Sequence, residues 1–99
     1  MYLVQRARVL YALDRFDAAI EASAAALHAM PGSRLALLTS AAAQAALGDL
    51  AGANQRVRDV LAHSTSLRLS APMLAPYFAR DPQRRQQWLE RLRAAGMPD

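Results

Sequence analysis

Side chains able to do covalent or metal chemistry are scarce in this chain. The two histidines, His28 and His63, stand 35 residues apart with no acid or thiol at ligand spacing, so the convergent donor set a metal needs is missing. Each falls near the end of a helical pattern, where the carbonyl end of the helix dipole favours a histidine. The only close acidic pair, Asp14 and Asp17, sits at a helix start and reads as capping rather than general acid-base work. With no cysteine there is no thiolate nucleophile, thiolate metal site or disulfide. Gly32, Gly48, Gly52 and Gly96 are too scattered to form a phosphate-binding loop. The sequence therefore argues against an enzyme and implies no cofactor and no metal.

Charge supplies the sharpest remaining candidate. All twelve basic residues are arginine and the net charge is +4; residues 1–50 hold four Arg against four acids, residues 51–99 eight against four. Arg80, Arg84, Arg85, Arg91 and Arg93, with Trp88 among them, are the residue types that bind a nucleic-acid backbone and stack a base. Against that, Trp88 shares a helix face with Leu92 and belongs in a core, which leaves the arginines as its solvated border. Nucleic-acid binding is thus the alternative reading and is disfavoured.

The elements that position these residues are helices. At 99 residues and 54% hydrophobic content, dominated by Ala and Leu with few β-branched residues, the chain reads as one all-α domain. Apolar spacing and punctuation place helices at 2–13, 16–30, 34–47 and 50–63, the second stopped by Pro31-Gly32, the third capped by Ser33 and closed by Gly48, the fourth capped by Asp49. The second should bury Phe16, Ala19, Ile20, Ser23 and Leu27, and the fourth Leu50, Ala53, Val57, Val60 and Leu61. The most apolar stretch, Leu35–Leu47, is 13 residues with Thr39, Ser40 and Gln44 in it, too short to span a bilayer. No signal-peptide pattern stands at the start, and a cytoplasmic protein without membrane contact is expected.

A shift of 34 positions superimposes the two hairpins 2–30 and 33–63: Leu3 falls on Leu37, Ala7 on Ala41, Leu13 on Leu47, Asp14 on Gly48, Ala19 on Ala53 and Ala26 on Val60. That period is the length of a tetratricopeptide repeat. The turn segments Leu13-Asp14-Arg15-Phe16-Asp17-Ala18-Ala19 and Leu47-Gly48-Asp49-Leu50-Ala51-Gly52-Ala53 resemble the inter-helix turn of that family, and Ala26 and Pro31 resemble its later small residue and closing proline. The resemblance covers residues 3–65. Asp14 replaces the usual Gly, Leu3 and Arg6 replace the early aromatic and its leucine, and Thr65 stands where a second proline belongs.

A third unit, 67–95, keeps the length but not the pattern. Pro72 and Pro76 break the segment Leu67–Ala79, whose Leu69, Met73, Leu74, Tyr77 and Phe78 should pack on the preceding hairpin. Asp81-Pro82 starts a last helix, 82–95, and Gly96-Met97-Pro98 stops it. That helix reads as the cap a repeat stack needs. The run Leu92–Asp99 also resembles the ends of some bacterial signalling proteins, of adenylate-cyclase or transcription-regulator type, which would make the chain the regulatory tail of a longer protein.

The expected architecture is therefore a helical-hairpin α-solenoid with a degenerate third unit and a C-terminal capping helix, and the expected function is non-catalytic binding of a protein or peptide. The resemblance implies a concave groove lined by the first helix of each hairpin, with Val4, Arg8, Tyr11, Leu35, Leu38, Ala42 and Ala45 facing it; the bland alternative places some of these in the core. Outward apolar residues such as Val4 and Val9 would be exposed in a monomer, so a homodimer is the first candidate partner. Ala7, Ala19, Ala26, Ala41 and Ala53 let helix axes approach at each crossing. Replacing Ala19 or Ala53 by Phe should abolish the cooperative thermal transition seen by circular dichroism, whereas the same change at an exposed alanine should not.

Overall fold

The computed structural model describes residues 2–63 and 81–98, with side chains from Val4 onward. Every regular element among them is a helix: α1 (Tyr2–Ala12), α2 (Phe16–Ala29), α3 (Arg34–Ala46), α4 (Leu50–His63) and α5 (Pro82–Ala94). The expected helix ends are met within one residue. The broken helix expected over Leu67–Ala79, and Arg80, lie outside the described residues.

Loops of three, four and three residues join α1 to α4 in sequence, and such short connections make neighbouring helices run antiparallel. The first and third loops share one lock. Asp14 (φ 60°) and Gly48 (φ 86°) adopt the left-handed conformation. Behind them Arg15 N donates to Leu10 O and Asp14 N to Tyr11 O, while Asp49 N donates to Gln44 O and Gly48 N to Ala45 O. These are paired Schellman bonds satisfying the last carbonyls of α1 and α3. The left-handed residues and their bonds are offset by 34 positions.

Asp14 is thus not the helix-start cap that its sequence position suggests, because it is the residue that terminates α1. Arg15 precedes α2 and makes no side-chain cap bond. The other caps stand as expected: Ser33 Oγ accepts from Ala36 N, Asp49 Oδ1 from Gly52 N, and Asp81 Oδ1 from Gln83 N and Arg84 N. At the end of α5, Gly96 (φ 105°) repeats the lock, with Met97 N on Leu92 O. Met97 and Leu92 are both buried, completing the apolar contact that accompanies this motif.

At the centre lies α3, buried without interruption from Ala36 to Ala43. It packs on α1, α2, α4 and α5. Ala7, Ala19, Ala36, Ala41, Ala42, Ala43 and Ala53 have no exposed surface, so backbones meet with only a methyl group between them. The main core joins Tyr11, Leu37, Leu38, Val57, Val60, Trp88, Leu92 and Met97; a smaller cluster of Val4, Ala26 and Ala36 sits between α1, α2 and α3.

Two expectations fail here. Leu50 is 49% exposed and is not part of the buried face of α4, because it occupies the first position after the turn, outside the contact with α3. Val4 is buried rather than outward, because α1 presents it to Ala26 and Ala36; Val9, as expected, is exposed.

Among the described residues two buried hydroxyls find no hydrogen-bond partner: Ser23 Oγ on α2 and Thr39 Oγ1 on α3, both on residues with no exposed surface. An unsatisfied buried polar group costs about 1–3 kcal/mol. The residue 34 positions after Ser23 is Val57, an apolar side chain in the equivalent place. Ser23→Ala and Thr39→Val, which keep volume and remove the hydroxyl, should therefore each raise stability by roughly 1 kcal/mol, read as a thermal midpoint about 4–8 °C higher.

Candidate functional site

The face that α1 and α3 share toward their C-terminal ends is covered by α5. The side chains that make this cover recur at Arg84, Trp88, Arg91, Leu92 and Ala95, a spacing that keeps them on one side of a helix. Trp88 and Leu92 are buried; Gln83, Gln86, Gln87, Glu90 and Arg93 on the other side are exposed. The helix runs from the α1–α2 turn, where Arg84 Nη1 meets Asp14 Oδ1 at 3.1 Å, to the start of α4, where Asn54 Nδ2 donates to Ala95 O at 2.9 Å.

Tyr11 is the hub of this arrangement. It is 2% exposed, its ring meets Trp88 edge-on (centroids 5.1 Å apart, planes at 86°), and Phe16 approaches from α2 at 5.5 Å. Arg91 Nη1 donates to Tyr11 Oη at 2.8 Å. The same guanidinium carbon lies 5.0 Å from the Phe16 ring centroid and 5.6 Å from that of Tyr11, so its charge rests against two aromatic faces. Burial pushes the Tyr11 phenol above its ordinary value of 10.0; the hydrogen bond and charge of Arg91, and the charge of Arg84, act the other way, and the Asp14 charge adds to the rise. The ion pair of Arg84 with Asp14 is largely solvated and adds little, about 0–1 kcal/mol.

The seven residues expected along an open groove separate into two groups. Val4 and Leu35 pack with Ala26 and Ala36 between the helices. Tyr11, Leu38 and Ala42 are buried in the core that contains Trp88 and Leu92, and Ala45 packs at its edge. Arg8 is half-buried. Tyr11, Leu38 and Ala42 therefore do not line an open surface, whereas Ala45 borders a cleft beside α5 and Arg8 and Leu35 remain half-buried. Sequence reasoning gave Trp88 its core place but missed what it packs on. The signal was available in the apolar face of α1 and α3, which had no occupant, and in the apolar stripe of α5, which had no receptor.

The arginine group also divides. Arg84 and Arg91 point back into the fold, on Asp14 and Tyr11, and only Arg93 of the remaining described arginines on α5 is fully exposed. Among the described residues no three His, Asp or Glu side chains gather where they could hold a metal ion, and no helix is long and apolar enough to cross a membrane. His63 Nδ1 lies 3.0 Å from Asp59 O on its own helix. Comparison with protein-family models, with characterised proteins and with solved structures finds no significant match to this chain.

The raised Tyr11 value fixes a pH dependence. Below pH 10 the phenol is neutral in both folded and unfolded chains; above it the unfolded chain ionises first, so the contribution is lost as pH rises from 10.0 through the higher folded value. Denaturation midpoints should fall in that alkaline window and fall less in Tyr11→Phe. At neutral pH the same substitution should cost about 1 kcal/mol, because the Arg91 guanidinium loses an acceptor.

Proposed function

We propose that this chain is a non-catalytic protein-interaction module of the tetratricopeptide-repeat type, a stack of helical hairpins that holds a partner protein or a second copy of itself. The observation that carries the reading is the geometric equivalence of the two turns at an offset of 34 residues, with the same left-handed residue and the same pair of hydrogen bonds. Equivalent alanines, Ala7 with Ala41 and Ala19 with Ala53, are fully buried at the crossings. The contacts of α3 with both α1 and α2, as well as with α4, support the reading of one hairpin laid on the next.

Surface composition supports association through the first hairpin. Val9 on α1 and Leu13 in the α1–α2 turn are 57% and 62% exposed. Beside them a cleft of about 360 Å³ between α1 and α2 is lined by Leu10, Ala18 and Ala22 with Arg6, Arg15 and Glu21. Opposite charges on one face allow it to pair with itself across a twofold axis. The nucleic-acid reading loses its main support, since Trp88 is buried and Arg84 and Arg91 are engaged internally.

Light scattering over a rising concentration series should show reversible dimerisation, with Leu13→Asp shifting the chain to monomer while leaving its helical circular dichroism unchanged. A wild-type chain that stays monomeric throughout would remove self-association.

A further inference from the structure

The helix that covers the α1–α3 face has the attributes of a ligand. It is closed at both ends by its own residues: Asp81 and Pro82 at the start, the Gly96–Met97 lock at the finish. Most of its end groups are therefore satisfied within the segment itself, the Ala95 carbonyl being met by Asn54. Its outer side is polar, and its inner side offers an aromatic ring, a leucine four residues on, and an arginine on either flank. Trp88 and Arg91 both meet Tyr11, the first at its ring and the second at Oη with the Phe16 face beside it, while Arg84 meets Asp14 and the Ala95 carbonyl meets Asn54.

Its tether is also of a different order from the others. Eighteen residues, 64–81, separate α4 from α5, against three or four between the preceding helices. A cleft of about 260 Å³ remains along the seam between Ala45 and the Gln87, Glu90, Arg91 and Ala94 side of α5.

We infer that the α1–α3 face with Asn54 is a helix-recognition site, that α5 is its resident intramolecular ligand, and that the outside partner is an amphipathic helix carrying the same signature of aromatic, leucine and flanking arginines, which takes the place of α5. The inference rests on the reading of the chain as a protein-interaction module. It adds the class of partner and a control: the site opens only to a helix able to compete with α5. Asp14, the phenol oxygen of Tyr11 and the faces of Tyr11 and Phe16 select for guanidinium, and the buried seat of Trp88 selects for a ring.

A synthetic peptide of residues 81–98 tests it against the full chain. Trp88 is the only tryptophan, so in a Trp88→Ala/Leu92→Ala chain all tryptophan emission comes from the peptide. Saturable binding with a blue shift is expected to this variant, at least ~10-fold tighter than to the wild-type chain, where α5 competes in place. A peptide carrying Arg91→Ala should bind the variant ~10-fold more weakly, the loss of one charged hydrogen bond. No binding by a variant that keeps its helical spectrum, or equal binding by variant and wild type, overturns the inference.

Should Trp88→Ala/Leu92→Ala lose its helical spectrum, Arg84→Ala/Arg91→Ala leaves the apolar stripe intact and must still bind the labelled peptide more tightly than wild type does; equality overturns the inference there too. A concentration-dependent dimer that excess peptide does not dissociate, and that survives Leu13→Asp, would make a second copy the occupant and overturn the assignment to an outside helix. Failure of the peptide with Leu13-dependent dimerisation retained would end this inference and leave the module reading standing.

Discussion

Close approach of α3 to its neighbours is the constraint on which the remaining structure depends. A helix buried over eight successive positions, Ala36 to Ala43, has no solvent face and must be surrounded. It can be surrounded at short range only because four of those side chains are alanine and two are the small polar residues Thr39 and Ser40. The backbones of α1, α2 and α4 then carry the matching small residues Ala7, Ala19 and Ala53. With so thin a core, large side chains are concentrated where one more helix arrives: Tyr11, Trp88 and Leu92.

Chain reversal is governed by the backbone more than by the side chains. Three helices end in the same left-handed lock, at Asp14, Gly48 and Gly96, yet only two use glycine. Aspartate serves at the first because its short polar side chain tolerates this conformation better than most, and because its carboxylate then faces Arg84 of α5. One residue thus sets the α1–α2 turn and receives an arginine from a helix 70 positions away.

The same economy governs the polar contacts of α5. Three of the polar contacts among the described residues fix α5: a guanidinium on a phenol, a carboxamide on a terminal carbonyl, an ion pair at the rim. None of these places a nucleophile beside a base. Their arrangement orients a helix against α1 and α3. Exposed apolar side chains gather at the outer edge of α1 and around the α3–α4 turn, at Val9, Leu13, Leu47 and Leu50, which is where the molecule offers further area for contact.

Helix boundaries, caps and the 34-residue offset were legible in the sequence because they are local: proline, glycine, Ser33, Asp49 and Asp81 act within one turn of where they stand. Burial of Ala19, Ala53 and Trp88 was legible too, through spacing on a single helix. What covers Tyr11 was not, because the partners of that side chain come from residues 77 and 80 positions further on, and no periodicity within α1 reports on them. The inward turn of Val4 and the outward turn of Leu50 were likewise decided by packing angle. Sequence by itself determined that there would be amphipathic helices with small residues at their crossings; only the tertiary arrangement decided which apolar faces meet, since that choice minimises exposed surface over the whole chain at once.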